Sequence, residues 1–142
     1  AASWGNWIRL NLNSMEALAE LPKVELMMKR ALELDEGFYY GGPHLFMGIR
    51  LASRSALAGG NLAKAQQHFL RALELGQGKF LMAYVYYANY YARQAQDKEL
   101  FISILQTVLN TPADISSDLT LLNTVAREKA KDLLDRQEEY FD

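Results

Sequence analysis

The chain has 142 residues, half of them hydrophobic and 23% charged, with no cysteine, which suits one folded domain with a sizeable core rather than a disordered segment. Fifteen Lys and Arg against 17 Asp and Glu leave a formal charge of −2, which argues against a nucleic-acid scaffold with its phosphate-neutralising basic stripe. The lack of cysteine excludes disulfides, thiolate zinc sites and a cysteine nucleophile.

The opening, AASWGNWIRL, has no initiator methionine and reads like the middle of a helix, so the chain is expected to be the C-terminal portion of a longer one. No run of the roughly 18 apolar residues that a spanning helix needs occurs, and no basic-then-apolar leader is visible. Trp4 to Leu10 forms an apolar stretch with its tryptophans three apart, as on one helix face. Ser14 is placed to cap a short turn through Ala19. Pro22 then suits the first position of a helix running to about Leu34, with Val24, Met27, Met28, Ala31, Leu32 and Leu34 as its apolar stripe. Gly41, Gly42 and Pro43 break the chain and start another helix, ending near Leu57. After Gly59 and Gly60, Asn61 caps a helix to Leu75, which Gly76 and Gly78 stop.

A tyrosine-rich helix is expected from about Phe80 to Gln94. Asp97 caps the next, and Thr111-Pro112 closes it. The last segment, from about Asp118 to Phe141, reads as one long amphipathic helix with Leu119, Leu122, Ala126, Leu133 and Leu134 on its apolar side. No stretch alternates with period two, so the predicted fold is all-α.

The pentapeptide RALEL occurs twice, at Arg30–Leu34 and Arg71–Leu75, each time closing a helix whose preceding partner holds a hydrophobe-glycine pair, Trp4-Gly5 and Met47-Gly48. This resembles the tetratricopeptide pattern of roughly 34 residues. Gly48, Ala65, Phe69 and Ala72 fit its second unit, where paired helices approach closely and the bulky Phe fills the gap. Tyr84, Tyr87, Ala88, Tyr91, Leu100, Ile104, Thr107 and Pro112 fit its third. The expected architecture is a tetratricopeptide-like α-solenoid of three helix pairs, at about 1–36, 43–77 and 80–112, with a capping helix at about 118–141.

Little reactive chemistry is visible. His44 and His68 form no HExxH-type pair, and each reads as a packing or surface residue. Gly76-Gln-Gly78-Lys79 lacks the spacing and the hydroxyl residue of a phosphate loop, and there is no GxSxG elbow. The adjacent carboxylates of Glu138 and Glu139 lie on a charged helix end that reads as solvated. No catalytic residue, metal ligand or cofactor is expected, and the chain reads as a non-enzyme.

The candidate binding residues lie on the first helices of the units, which line a solenoid's concave face. They are Asn6 and Arg9, then Leu45 and Ile49, then Met82, Val85, Asn89 and Arg93, an apolar strip bracketed by amide and guanidinium groups. Such a groove suits an amphipathic guest, since burying its apolar surface gains about 25 cal/mol per Å² while Asn and Arg orient a polar end. The other reading is that these residues pack against preceding helices or a symmetry partner. In α-helical register Tyr84, Tyr87 and Tyr91 share a core face, whereas Tyr86 and Tyr90 share another and are expected to line a cleft or interface. Leu45 and Ile49 take two positions where a carboxylate clamp for chaperone tails needs Lys or Asn, which argues against that function.

The ordered segments SWGNWI, LPKVELMMKRALELDEGF, GGPHLFMG, the helix ending in RALELGQ, YYARQAQDKELFISILQTVLNTP and NTVAREKAKDLLDRQEEYF resemble the T component of TRAP transporters over nearly the whole chain. The resemblance implies a tetratricopeptide-like periplasmic lipoprotein that docks a TRAP substrate-binding protein and self-associates, with a trimer favoured. The lipid anchor would lie in the full-length protein, since this chain carries no lipobox cysteine. On this reading the protein holds an apolar or amphipathic small molecule and assists its uptake. The alternative is a general tetratricopeptide adaptor that binds a peptide segment. The resemblance brings no catalytic motif.

Overall fold

The computed structural model describes residues 15–35 and 38–141. Among these described residues seven α-helices follow in order: α1 Met15–Leu34, α2 Phe38–Ser53, α3 Leu62–Leu75, α4 Leu81–Tyr86, α5 Lys98–Asn110, α6 Thr120–Asp135 and α7 Gln137–Tyr140. A π-helix, Tyr87–Ala92, continues α4 directly. Among the described residues there is no strand, and the fold is all-α as expected.

Several elements start and stop where local chemistry dictates. The Asn61 side chain accepts the Lys64 N–H at 3.0 Å, and Asp97 accepts the Leu100 N–H at 3.1 Å, so both expected N-caps are in place. Helix α3 stops at Gly76, and left-handed Gln77 (φ 55°) and Gly78 (φ 72°) turn the chain away. Ahead of α2's regular part, Tyr40 (φ 56°) and Gly41 (φ 81°) are left-handed. A Cβ on Gly41 would come within 3.0 Å of the Ala72 Cα, so this position also sets how closely α2 meets α3.

Five sequence expectations need correction. Pro22 does not begin a helix; it lies inside α1, exposed, because the preceding MEALAEL is built from strong helix formers that carry the helix through one missing N–H. Helix α2 ends at Ser53, and Ala56–Ala58 is a separate 3-10 turn capped by Ser55. The final helix is not continuous: it breaks at Arg136, whose φ of −103° and ψ of 11° end α6. Beyond that break the buried Phe141 lies edge-on to Phe101, with ring centroids 5.0 Å apart. On α6, Leu119, Ala126 and Leu133 are buried as expected and Leu134 partly so, but Leu122 is 36% exposed beside Leu121 at 77% and Val125 at 36%. The stripe on α1 is narrower than expected: Val24 and Met28 are buried, Ala31 and Leu32 half-buried, and Met27 and Leu34 exposed.

The core runs through α2, α3, the tyrosine helix, α5 and α6. Gly48, Ala65, Phe69 and Ala72 are all buried, and Phe69 lies over Gly48, with ring carbons 3.0 Å from where a Cβ would stand. The Phe69 ring also stacks on Tyr87 at 5.5 Å. Of the residues matched in sequence to a third unit, Tyr87, Ala88 and Ile104 are buried and Tyr84, Tyr91 and Leu100 half-buried, whereas Thr107 and Pro112 are exposed. Glu25 of α1 accepts Arg50 Nε at 3.0 Å and also pairs with Arg54, fastening α1 to α2. Asn123 is fully buried; its Oδ1 accepts the Leu81 N–H at 3.0 Å, and its amide donates to Lys79 at 2.8 Å and Ala113 at 3.3 Å. One side chain of α6 thus caps α4 and holds two loops.

Candidate ligand cleft

The tyrosine helix changes type partway, which periodicity at 100° per residue did not anticipate. Over Tyr87–Ala92 it is π-helical, and Arg93 N–H reaches back five residues to the Ala88 carbonyl at 3.3 Å. π-helical turns are rare and recur at functional sites, because the wider turn re-aims the side chains that follow. Here the wide turn buries Ala88 and Ala92 and leaves Asn89, Tyr90 and Arg93 partly exposed on one side. Left-handed Gln96 (φ 55°) then closes the turn, its amide donating to the Arg93 carbonyl at 2.8 Å and the Tyr140 carbonyl at 3.4 Å.

A cleft of about 380 Å³ opens there, between the C-terminal end of α2 (Ala52, Ser53), the π segment and the loop after it (Asn89, Tyr90, Arg93, Gln94, Gln96), and Tyr140. Arg93 is fixed from two sides. Its Nη1 donates to Asn89 Oδ1 at 2.8 Å, and its guanidinium carbon lies 3.7 Å from the centroid of the Tyr140 ring, a cation–π distance. The packing that aims Tyr140 also makes it an edge neighbour of the buried Phe101, with centroids 6.1 Å apart. A second hollow of about 430 Å³, lined by Arg54 to Ala56, Gly60 to Leu62 and Gln94, adjoins the first through Gln94. The two hollows share Gln94, the first lying by the C-terminal end of α2 and the second by the loop that leads from α2 into α3.

The structure scatters the candidate residues read from the sequence. Asn89, Tyr90 and Arg93 come together in the cleft. Tyr86 is half-buried and tilted against Tyr90, with ring centroids 6.0 Å apart. Leu45, Met82 and Val85 are buried core residues at 6%, 8% and 3% exposure, and Ile49 packs partly buried against them, so these four present no apolar strip to a guest. Asn6 and Arg9 lie outside the described residues. Sequence reasoning missed Ala52, Ser53, Gln94, Gln96 and Tyr140. The one available signal was the aromatic pair Tyr140-Phe141 closing a charged run.

His44 and His68, distant in sequence and each read as a packing or surface residue, meet with their Nδ1 atoms 2.9 Å apart, one ring donating to the other. Burial first, then the neighbouring His44 and Lys64, hold His68 below its ordinary pKa of 6.5. A group harder to protonate in the folded state makes the unfolded chain bind more protons, so stability falls as pH drops below that ordinary value. Urea midpoints should therefore decline from pH 7 to pH 5 more steeply in the wild type than in His68→Gln. Equal slopes would show that the pair does not report pH. Among the described residues no three His, Asp or Glu side chains gather as a metal site, and no helix is long and apolar enough to cross a membrane.

The family model described as TAtT, TRAP transporter T-component, aligns with residues 1–141. No curated protein matches the chain.

Proposed function

The chain belongs to the TRAP transporter T-component family and is thus an accessory component of a TRAP transporter, and from that premise we propose that it works without catalysis in the periplasm. On this reading it docks the transporter's substrate-binding protein and holds a solute in the cleft beside Arg93, assisting its uptake, with a lipid anchor in the full-length protein. The observation that carries the reading is the family match over residues 1–141. The cleft supports it: a concave site with a few fixed polar groups, at the small end of the ~300–1,000 Å³ usual for small-molecule sites. The core pattern of Gly48 beneath Phe69 supports tandem helix pairs at about 43–77 and 80–112, closed by α6 and α7 as the cap.

Tyr90 tests the docking. With the substrate-binding protein of the same transporter as probe, Tyr90→Ala should weaken binding about tenfold, roughly 1.4 kcal/mol. The folded fraction should stay near that of the wild type by circular dichroism. A loss of stability with binding intact would remove Tyr90 from the interface.

Self-association, as a trimer, belongs to the same proposal and is supported by the exposed Leu121, Leu122 and Val125 on α6. Sedimentation equilibrium decides it, and a monomer mass at high concentration would end it. The second reading, a peptide adaptor, is favoured by one observation: the two hollows joined at Gln94 form a groove that suits an extended segment better than a compact solute.

A further inference from the structure

The geometry points to a site for one soft monovalent metal ion, copper(I) or silver(I), held in line between the Nδ1 atoms of His44 and His68. It lies on the joint between α2 and α3, and it neither uses nor needs the cleft beside Arg93.

Helix α2 meets α3 closely at two points. A Cβ on Gly41 would stand 3.0 Å from the Ala72 Cα, and one on Gly48 would stand 3.0 Å from the Phe69 ring. His44 and His68 meet between these points, both half-buried, with their Nδ1 atoms 2.9 Å apart. The ring centroids are 5.2 Å apart, which exceeds the nitrogen separation by about two ring radii. Both ring centres and both Nδ1 atoms therefore fall nearly on one line. Each Nδ1 faces the other head-on, and a single proton lies between them. The two histidines stand 24 residues apart in sequence, and only the pairing of the helices brings them together.

Two nitrogens opposed in this way select an ion by its coordination number. A pair of ligands in line satisfies a closed-shell monovalent cation such as copper(I) or silver(I), for which linear two-coordination is ordinary. Zinc takes four ligands in a tetrahedron, and copper(II) or nickel(II) takes them at right angles. Among the described residues no third His, Asp or Glu joins the pair. Charge favours the same choice. Lys64 acts on His68 and no carboxylate is among the groups that do, so a monovalent ion is repelled half as strongly as a divalent one. Burial first, then His44 and Lys64, also make His68 harder to protonate, and a ligand ring must be neutral.

Imidazole–metal bonds of about 2 Å require the nitrogens to part to about 4 Å. The close contacts at Gly41 and Gly48 hold the two backbones, so side-chain torsions supply this small retreat of each ring. The ion takes the place of the shared proton, which moves to the Nε2 of its own ring. Each imidazole then keeps one proton, and the loaded pair carries one positive charge.

Silver nitrate in chloride-free buffer at neutral pH is the probe, titrated into the chain by calorimetry with zinc as the comparison. The expected result is saturable binding of one silver ion per chain, at least tenfold tighter than zinc, with a silver-dependent rise in melting temperature. His44→Gln and His68→Gln, each folded by circular dichroism, should weaken silver at least tenfold and erase that rise, because one imidazole cannot complete the line. The five methionines offer thioethers to the same ion and are unchanged in both variants, so any binding at those sites survives the substitutions. In isotope-labelled wild-type protein the nitrogen resonances of both Nδ1 atoms should move together as silver is added, which reads the site even where a variant folds poorly. No binding, silver binding undiminished in either variant, zinc bound as tightly as silver, or movement of only one Nδ1 resonance would each overturn the proposal.

Discussion

Phe69→Ala is expected to lower the unfolding free energy by about 3–5 kcal/mol, read from urea or guanidinium denaturation. The ring is wholly buried, stacks on Tyr87 and fills the space above Gly48, so its removal leaves a cavity between α2, α3 and the tyrosine helix. The converse change tests the same contact. Gly48→Ala sets a methyl group 3.0 Å from two Phe69 ring carbons, which must give way at about 1–3 kcal/mol. In a Phe69→Leu background the obstacle shrinks, so the two changes should couple by about 0.5 kcal/mol or more, with Gly48→Ala costing less there. Strict additivity would show that Phe69 does not rest on Gly48, and the close approach of the paired helices would lose its explanation.

Asn123→Leu is expected to cost about 3 kcal/mol or more. The change strands the Leu81 N–H and the Lys79 and Ala113 carbonyls, each left without its partner at about 1–3 kcal/mol. Because α4 begins at Leu81, hydrogen exchange should quicken first at the start of the tyrosine helix and in the Ala113 loop. Uniform protection there, with an unchanged denaturation midpoint, would contradict the role assigned to Asn123.

These two sites show where sequence reading succeeds and where it fails. Asn61 and Asp97 were legible as caps because a cap is settled within four residues of chain, and the structure forms both bonds. Gly48 and Phe69 were legible because a repeated pattern ties a small residue on one helix to a large one on the next. Asn123 carries no such mark: in α6 it reads as one more polar position, and only the fold brings Leu81, Lys79 and Ala113 to it. The π segment is equally silent, since YANYYA has an ordinary helical composition and nothing in it marks a wider turn.

The cleft fails to show in sequence for the same reason. Asn89, Tyr90 and Arg93 were found because four-residue spacing keeps them near one another in either helix type. Ala52, Ser53 and Tyr140 come from distant stretches, and Tyr140 reaches Arg93 only because the last helix breaks at Arg136. Leu45, Met82 and Val85 illustrate the opposite error: apolar positions assigned to a groove were needed by the core.

The most direct test of the account is an isothermal titration of this chain with the substrate-binding protein of its own transporter. A saturable complex of fixed stoichiometry, weakened by Tyr90→Ala, is the result expected of a docking accessory protein. Titration heats no greater than dilution, with both proteins folded, would contradict it.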